Sequence, residues 1–160
     1  FLSHPLYSVA VVLSSFLVFA GFGSAWSEAL AARLQASDRS PVTVAVGGIV
    51  LLTILYVILL PLIFQRCIGY SDPVKILIST ALIAPLAVSM GMPFPLGLKQ
   101  VAATAPNFVP WAWGINGFAS VISAVFATLL AIEFGFVFVI MLALVLYAIA
   151  ALTFESSARS

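Results

Sequence analysis

Residues 111–132 read WAWGINGFASVISAVFATLLAI, and this stretch decides the fold. It holds no charged side chain, and two tryptophans, Trp111 and Trp113, stand at its start. As an α-helix it rises about 33 Å at ~1.5 Å per residue, enough to cross a hydrocarbon core of about 30 Å. Its apolar residues run on without period-two alternation, so the pattern of a membrane β-strand does not fit. Small residues recur at steps of three and four through Gly117, Ser120, Ala124, Ala127 and Ala131. Ile115, Phe118, Ile122, Val125, Leu129 and Ile132 recur at similar steps on the opposite face. In lipid, helices associate by close backbone approach, because the hydrophobic drive between them is missing. Gly117, Ser120, Ala124 and Ala127 are therefore expected to pack against another helix, of this chain or of a partner. A gliding helix of a transporter would show the same face, but small faces are generic to membrane bundles, which favours the structural role.

Four more apolar stretches flank this one, at about 5–26, 42–64, 74–92 and 134–153. Of the 160 residues 64% are hydrophobic and 7% charged, and the mean hydropathy is +1.26. A soluble domain carries roughly 25% charged residues to face water, so lipid must cover much of this surface. The expected fold is all-α: a multi-pass transmembrane bundle of about five spans, forming one domain over residues 1–160. The first stretch lacks a basic leader and is too long for a signal-peptide core, so it reads as a genuine span. The chain opens on Phe1 rather than Met, which leads us to expect a C-terminal part of a longer protein.

Charge gathers in the connectors. Glu28, Arg33, Asp38 and Arg39 fall between the first two spans, and Arg66, Asp72 and Lys75 between the second and third. Lys99, Pro106 and Pro110 lie between the third and fourth, and a tight hairpin at Glu133 joins the last two. Five crossings put Arg33, Arg39, Lys99 and Arg159 on one side and Arg66 and Lys75 on the other. The positive-inside rule then places the first side in the cytoplasm and the N-terminus outside. Trp26, Trp111 and Trp113 share that first side, at headgroup level. A net charge of +1 from six scattered basic residues excludes a nucleic-acid partner.

Few polar groups are candidates for function. Asn116 lies one turn inside the fourth span, where an amide cross-links helices, touches water or lines a substrate path. The run Gly91-Met92-Pro93-Phe94-Pro95-Leu96-Gly97 must break the helix that precedes it. Broken helices hold substrate or ion sites in transporters, whereas a helix end followed by an interfacial loop is the simpler reading of Gly91, Pro93 and Pro95. Glu28 shares a face with Gly21 and Ser24; it follows Trp26, which points it at headgroups rather than at a buried proton path. His4, a lone imidazole without a second ligand at helical spacing, makes a poor metal or haem site. Cys67 has no disulfide partner in the chain. No Ser/His/Asp set, carboxylate pair, Cys/His cluster or phosphate loop is legible. We expect neither catalysis nor a cofactor or metal.

Three stretches together resemble a known family: HPLYSVAVVLSSFLVFAGFGS (4–24), GMPFPLGL (91–98) and PWAWGINGFASVISAVFATLLAIEFGF (110–136). They are similar to the membrane part of bacterial polytopic spermidine-synthase-like proteins, also described as major facilitator and spermidine synthase fusions. In such proteins an aminopropyltransferase-like domain accompanies the membrane helices. Its glycine-rich cofactor loop and acidic catalytic residues have no counterpart in these 160 residues, so none of its site residues carry over. The resemblance implies an anchor or scaffold in the bacterial cytoplasmic membrane, with the bilayer and other helices or subunits as partners. Two alternatives stand beside it. One is an accessory subunit of an electron-transfer or light-harvesting complex; the other is part of a solute transporter of major facilitator type, which needs more helices than five.

Overall fold

The computed structural model describes residues 5–34 and 40–159, with side chains described from residue 6 to 154. His4, Asp38 and Arg39 lie outside the described residues. The fold is all-α: α1 (Pro5–Leu34), α2 (Pro41–Cys67), α3 (Asp72–Gly91), α4 (Pro93–Thr104), α5 (Val109–Phe134) and α6 (Phe136–Arg159), with a 3₁₀ turn at Pro106–Phe108 before α5. Among the described residues, five helical segments are long and apolar enough to span a membrane, α3 and α4 together supplying one of them. The protein is thus an α-helical membrane protein of five spans.

The helix ends differ from the sequence expectation in an instructive way. α1 continues eight residues past Trp26, so Glu28 and Arg33 are helical rather than part of a connector. Charge does not end a helix; it only marks where the helix leaves hydrocarbon. α1 is about 45 Å long at ~1.5 Å per residue, so its last two turns reach the headgroup layer. Asp72 and Lys75 likewise belong to the first turn of α3, where Asp72 complements the helix dipole.

The expected loop after the third span is mostly helix. α3 stops at Gly91, and Met92 alone separates it from α4. Pro93 and Pro95 occupy the first turn of α4, where an absent N–H costs nothing and the fixed φ suits the helix. The prolines end one helix by starting another. Pro61 and Pro85 sit inside α2 and α3. Such prolines persist in membrane helices when other donors meet the carbonyls they release.

The chain divides into two compact units, 1–95 and 96–160, with the boundary inside α4. In the first unit α3 is the central helix. Ser15 and Thr80 share a hydroxyl–hydroxyl bond of 3.2 Å, and Gly23 meets Val88 at the same sequence offset, so α1 and α3 run parallel. Tyr56 meets Leu82 while Gly48 meets Ser89, so α2 runs antiparallel to α3. Val42, Ala45, Val46 and Ile49 form a buried stripe at helical spacing on α2. In the second unit α5 and α6 form a hairpin turned at Gly135, and Phe134 stacks against Phe138 with ring centres 5.0 Å apart.

Candidate functional site

The best-defined constellation is the crossing of α1 and α3, and glycine creates it. A β-carbon added at Gly23 would stand 2.0 Å from the Val88 carbonyl oxygen, and one at Gly91 2.1 Å from that of Ala20. Adding a bond of about 1.5 Å, each glycine Cα lies within about 3.6 Å of a carbonyl oxygen on the other helix, the range of a Cα–H···O contact. Ala87 is fully buried in the same seam segment of α3, and Ser27 is 1% exposed on α1. Ser27 satisfies its hydroxyl by donating to the Ser24 carbonyl at 2.7 Å. The seam is dry, close and internally satisfied.

Two open features flank it. Where α1 ends beside the α3–α4 break, Trp26, Ala29, Leu30, Arg33 and Met92 line a cleft of about 300 Å³. A ring and a cation at a helix end suit the headgroup layer. On another side α1, α2 and α3 enclose an apolar groove of about 290 Å³, with Phe16, Tyr56, Leu60, Ser79, Leu82 and Leu86 among its walls. Tyr56 donates its hydroxyl to the Leu82 carbonyl at 2.5 Å, in the turn that Pro85 disturbs. Ser89 donates to the Pro85 carbonyl at 2.9 Å.

The residues singled out from sequence fare unequally. Gly91 is functional as a packing residue, since it admits the α1 backbone. Pro93 and Pro95 are the first turn of α4 and are half-buried. Glu28 is exposed, and so are Gly21 and Ser24, whereas the neighbouring face through Gly23 and Ser27 is the buried one. Of the fourth-span face, Gly117, Ser120 and Ala124 are exposed and Ala127 is half-buried; α6 does not cover them. No residue of α5 is buried. Asn116 is exposed on the same helix, and its backbone carbonyl accepts the Ser120 hydroxyl at 2.7 Å. Thr128 donates to the Ala124 carbonyl at 2.9 Å in the same manner, so these hydroxyls are bonded to their own helix. The face is smooth rather than polar.

Gly23, Ser27, Ala87 and Tyr56 were not anticipated. Their signal was present: Ala20, Gly23 and Ser27 are spaced three and four apart, as are Thr80, Ala84, Ala87 and Gly91.

Comparison with protein-family models, curated proteins and solved structures finds no match. The fold therefore defines the class, a five-span helical membrane protein, and the family resemblance rests on the three quoted stretches alone.

Proposed function

We propose that this chain is a non-catalytic membrane block that anchors and scaffolds, in the manner expected of the membrane part of a spermidine-synthase-like protein. One observation carries the reading. α5 is a 26-residue apolar helix with no buried residue, and its smooth Gly117, Ser120 and Ala124 face is left open by its hairpin partner α6. Such a face gains nothing from lipid, which fills a rough surface as well as a smooth one. Against a second helix it permits close backbone approach. The block resides in the bacterial cytoplasmic membrane, and other helices or subunits complete it there.

The test uses two enlargements on one helix. Ala124→Leu places three more heavy atoms on the smooth face and is expected to abolish association in detergent and by crosslinking in membranes. Val125→Leu, one residue away, adds a single methylene that lipid accommodates, and association persists. Equal tolerance of both would show that the smooth face meets only lipid. The basic residues further support an outward N-terminus. A cysteine placed at Ser71 should then react with an impermeant reagent added outside cells, while one placed at Ser37 stays protected.

A further inference from the structure

The groove between α1, α2 and α3 has a position that identifies what fills it. Its α3 wall runs from Ser79 to Ala87, about 10 to 22 Å from the start of that helix at ~1.5 Å per residue. Its α2 wall runs from Phe64 back to Tyr56, about 5 to 16 Å from the end of α2. On α1, Val12 and Phe16 lie about 10 to 16 Å from the helix start. These three helix ends belong to one membrane face, because α1 and α3 run parallel and α2 antiparallel. The groove thus begins just inside that interface and ends near the midplane of a hydrocarbon core about 30 Å thick. It spans one leaflet.

Its walls are almost wholly apolar. Tyr56 turns its hydroxyl to a backbone carbonyl, and only Ser79 adds another side-chain hydroxyl. Water does not fill such a groove at this depth, and an unfilled one forfeits the dispersion contacts of every wall atom. The segment of matter available there, of matching length, is an acyl chain. The mouth supplies the second half of the match. Arg66 lies two residues beyond Phe64 on α2, and Lys75 lies one helical turn before Ser79 on α3. Against these two cations the same helix ends carry one acid, Asp72.

We propose that the groove is a binding site for one anionic phospholipid, its acyl chain along Phe16, Tyr56, Leu60 and Leu82 and its phosphate between Arg66 and Lys75. Because a chain leaving bulk lipid gains no hydrophobic energy, the tail supplies shape and the cations supply preference. A lipid held this way joins α1, α2 and α3 on the side where no glycine seam does so.

The whole chain, purified in mild detergent and titrated with phosphatidylglycerol or phosphatidylcholine under native mass spectrometry, provides the test. The protein should retain one phosphatidylglycerol in preference to phosphatidylcholine. Ser79→Phe fills the groove and should lower retention about tenfold while helicity by circular dichroism stays unchanged. The pair Arg66→Gln and Lys75→Gln should weaken phosphatidylglycerol about fivefold per charge removed and leave phosphatidylcholine unaffected. A diazirine-tailed phosphatidylglycerol should label residues 79–87 more than the exposed Leu51 and Ile54 side of α2. Equal retention by Ser79→Phe with intact helicity overturns the proposal. So do equal binding of the two lipids, equal labelling of both faces, and crosslinking of a cysteine at Leu86 to another protein helix in place of lipid.

Discussion

The α1–α3 pair and α5 carry the same kind of sequence and use it differently. Ala20, Gly23 and Ser27 face Ala87, Val88 and Gly91, and each helix removes side chains where the other presents backbone. α5 offers an equally regular Gly117, Ser120 and Ala124 face, yet a β-carbon at Gly114 or Gly117 would meet nothing within 4 Å. Small-residue spacing therefore encodes the capacity for close approach, not its location. The location needs a second helix with small residues at matching height. α3 is that helix for α1. α6 is not that helix for α5, and the shortage is what points to a partner.

The sharpest way to break this contrast is to add one methyl group on each side of it. Gly23→Ala and Gly91→Ala drive a carbon into a carbonyl of the facing backbone, which cannot rotate away, so α1 and α3 must separate. Overpacking of this kind costs about 1–3 kcal/mol, and a backbone obstacle places both near the upper end. Chemical denaturation in detergent should show the loss for each. Gly21→Ala is the control, because nothing lies within 4 Å of its added carbon. It should be neutral or slightly stabilising, as alanine is the better helix former. If Gly21 and Gly23 respond alike, the seam is not where the structure puts it.

How much of this was legible from sequence follows from which interactions act locally. The five spans were plain because hydropathy reports the solvent directly, and the breaks at Gly91–Pro93 and Glu133–Phe136 were plain because proline and glycine act on their own backbone. α4 was read as loop, since two prolines look like breakers when their position within a turn is unknown. The seam was missed although its residues were spaced as regularly as those of α5. Pairing Gly23 with Val88 takes two helices and their relative height, which no single helix displays. The face of Glu28 was chosen for its acid, while burial followed Gly23 and Ser27, one position round the helix.

A second, smaller effect is expected at the α5–α6 turn. Gly135 has φ +84° and ψ +163°, and its amide donates to the Ala131 carbonyl at 3.0 Å. This region is essentially restricted to glycine, and other residues there bear about 1–3 kcal/mol of strain. Nothing lies within 4 Å of an added β-carbon, so the cost is purely conformational. Gly135→Ala and Gly135→Asn should destabilise the hairpin similarly, by roughly 1–2 kcal/mol in the same denaturation assay. Rescue by asparagine would indicate an ordinary left-handed turn and would contradict the observed ψ.

The smallest effect should come from Gly97, which looks most like Gly23 in sequence and least like it in surroundings. Gly97 is buried in α4, and a β-carbon there would stand 2.8 Å from Cζ of Phe154 and 3.3 Å from its Cε1. The obstacle is the far edge of a half-buried ring on α6, not a carbonyl fixed in a helix. A small turn of that ring relieves the overlap. Alanine also gains about 0.8–1 kcal/mol over glycine in a helix interior, which offsets the residual strain. Gly97→Ala should therefore fall within about 0.5 kcal/mol of the parent. The same methyl group would then cost several times more at Gly23, with equal propensity gain, and the difference would measure what a backbone neighbour does that a side-chain neighbour does not. A loss at Gly97 as large as that at Gly23 would show Phe154 to be as rigidly held as backbone, and the distinction drawn between the two glycines would fail.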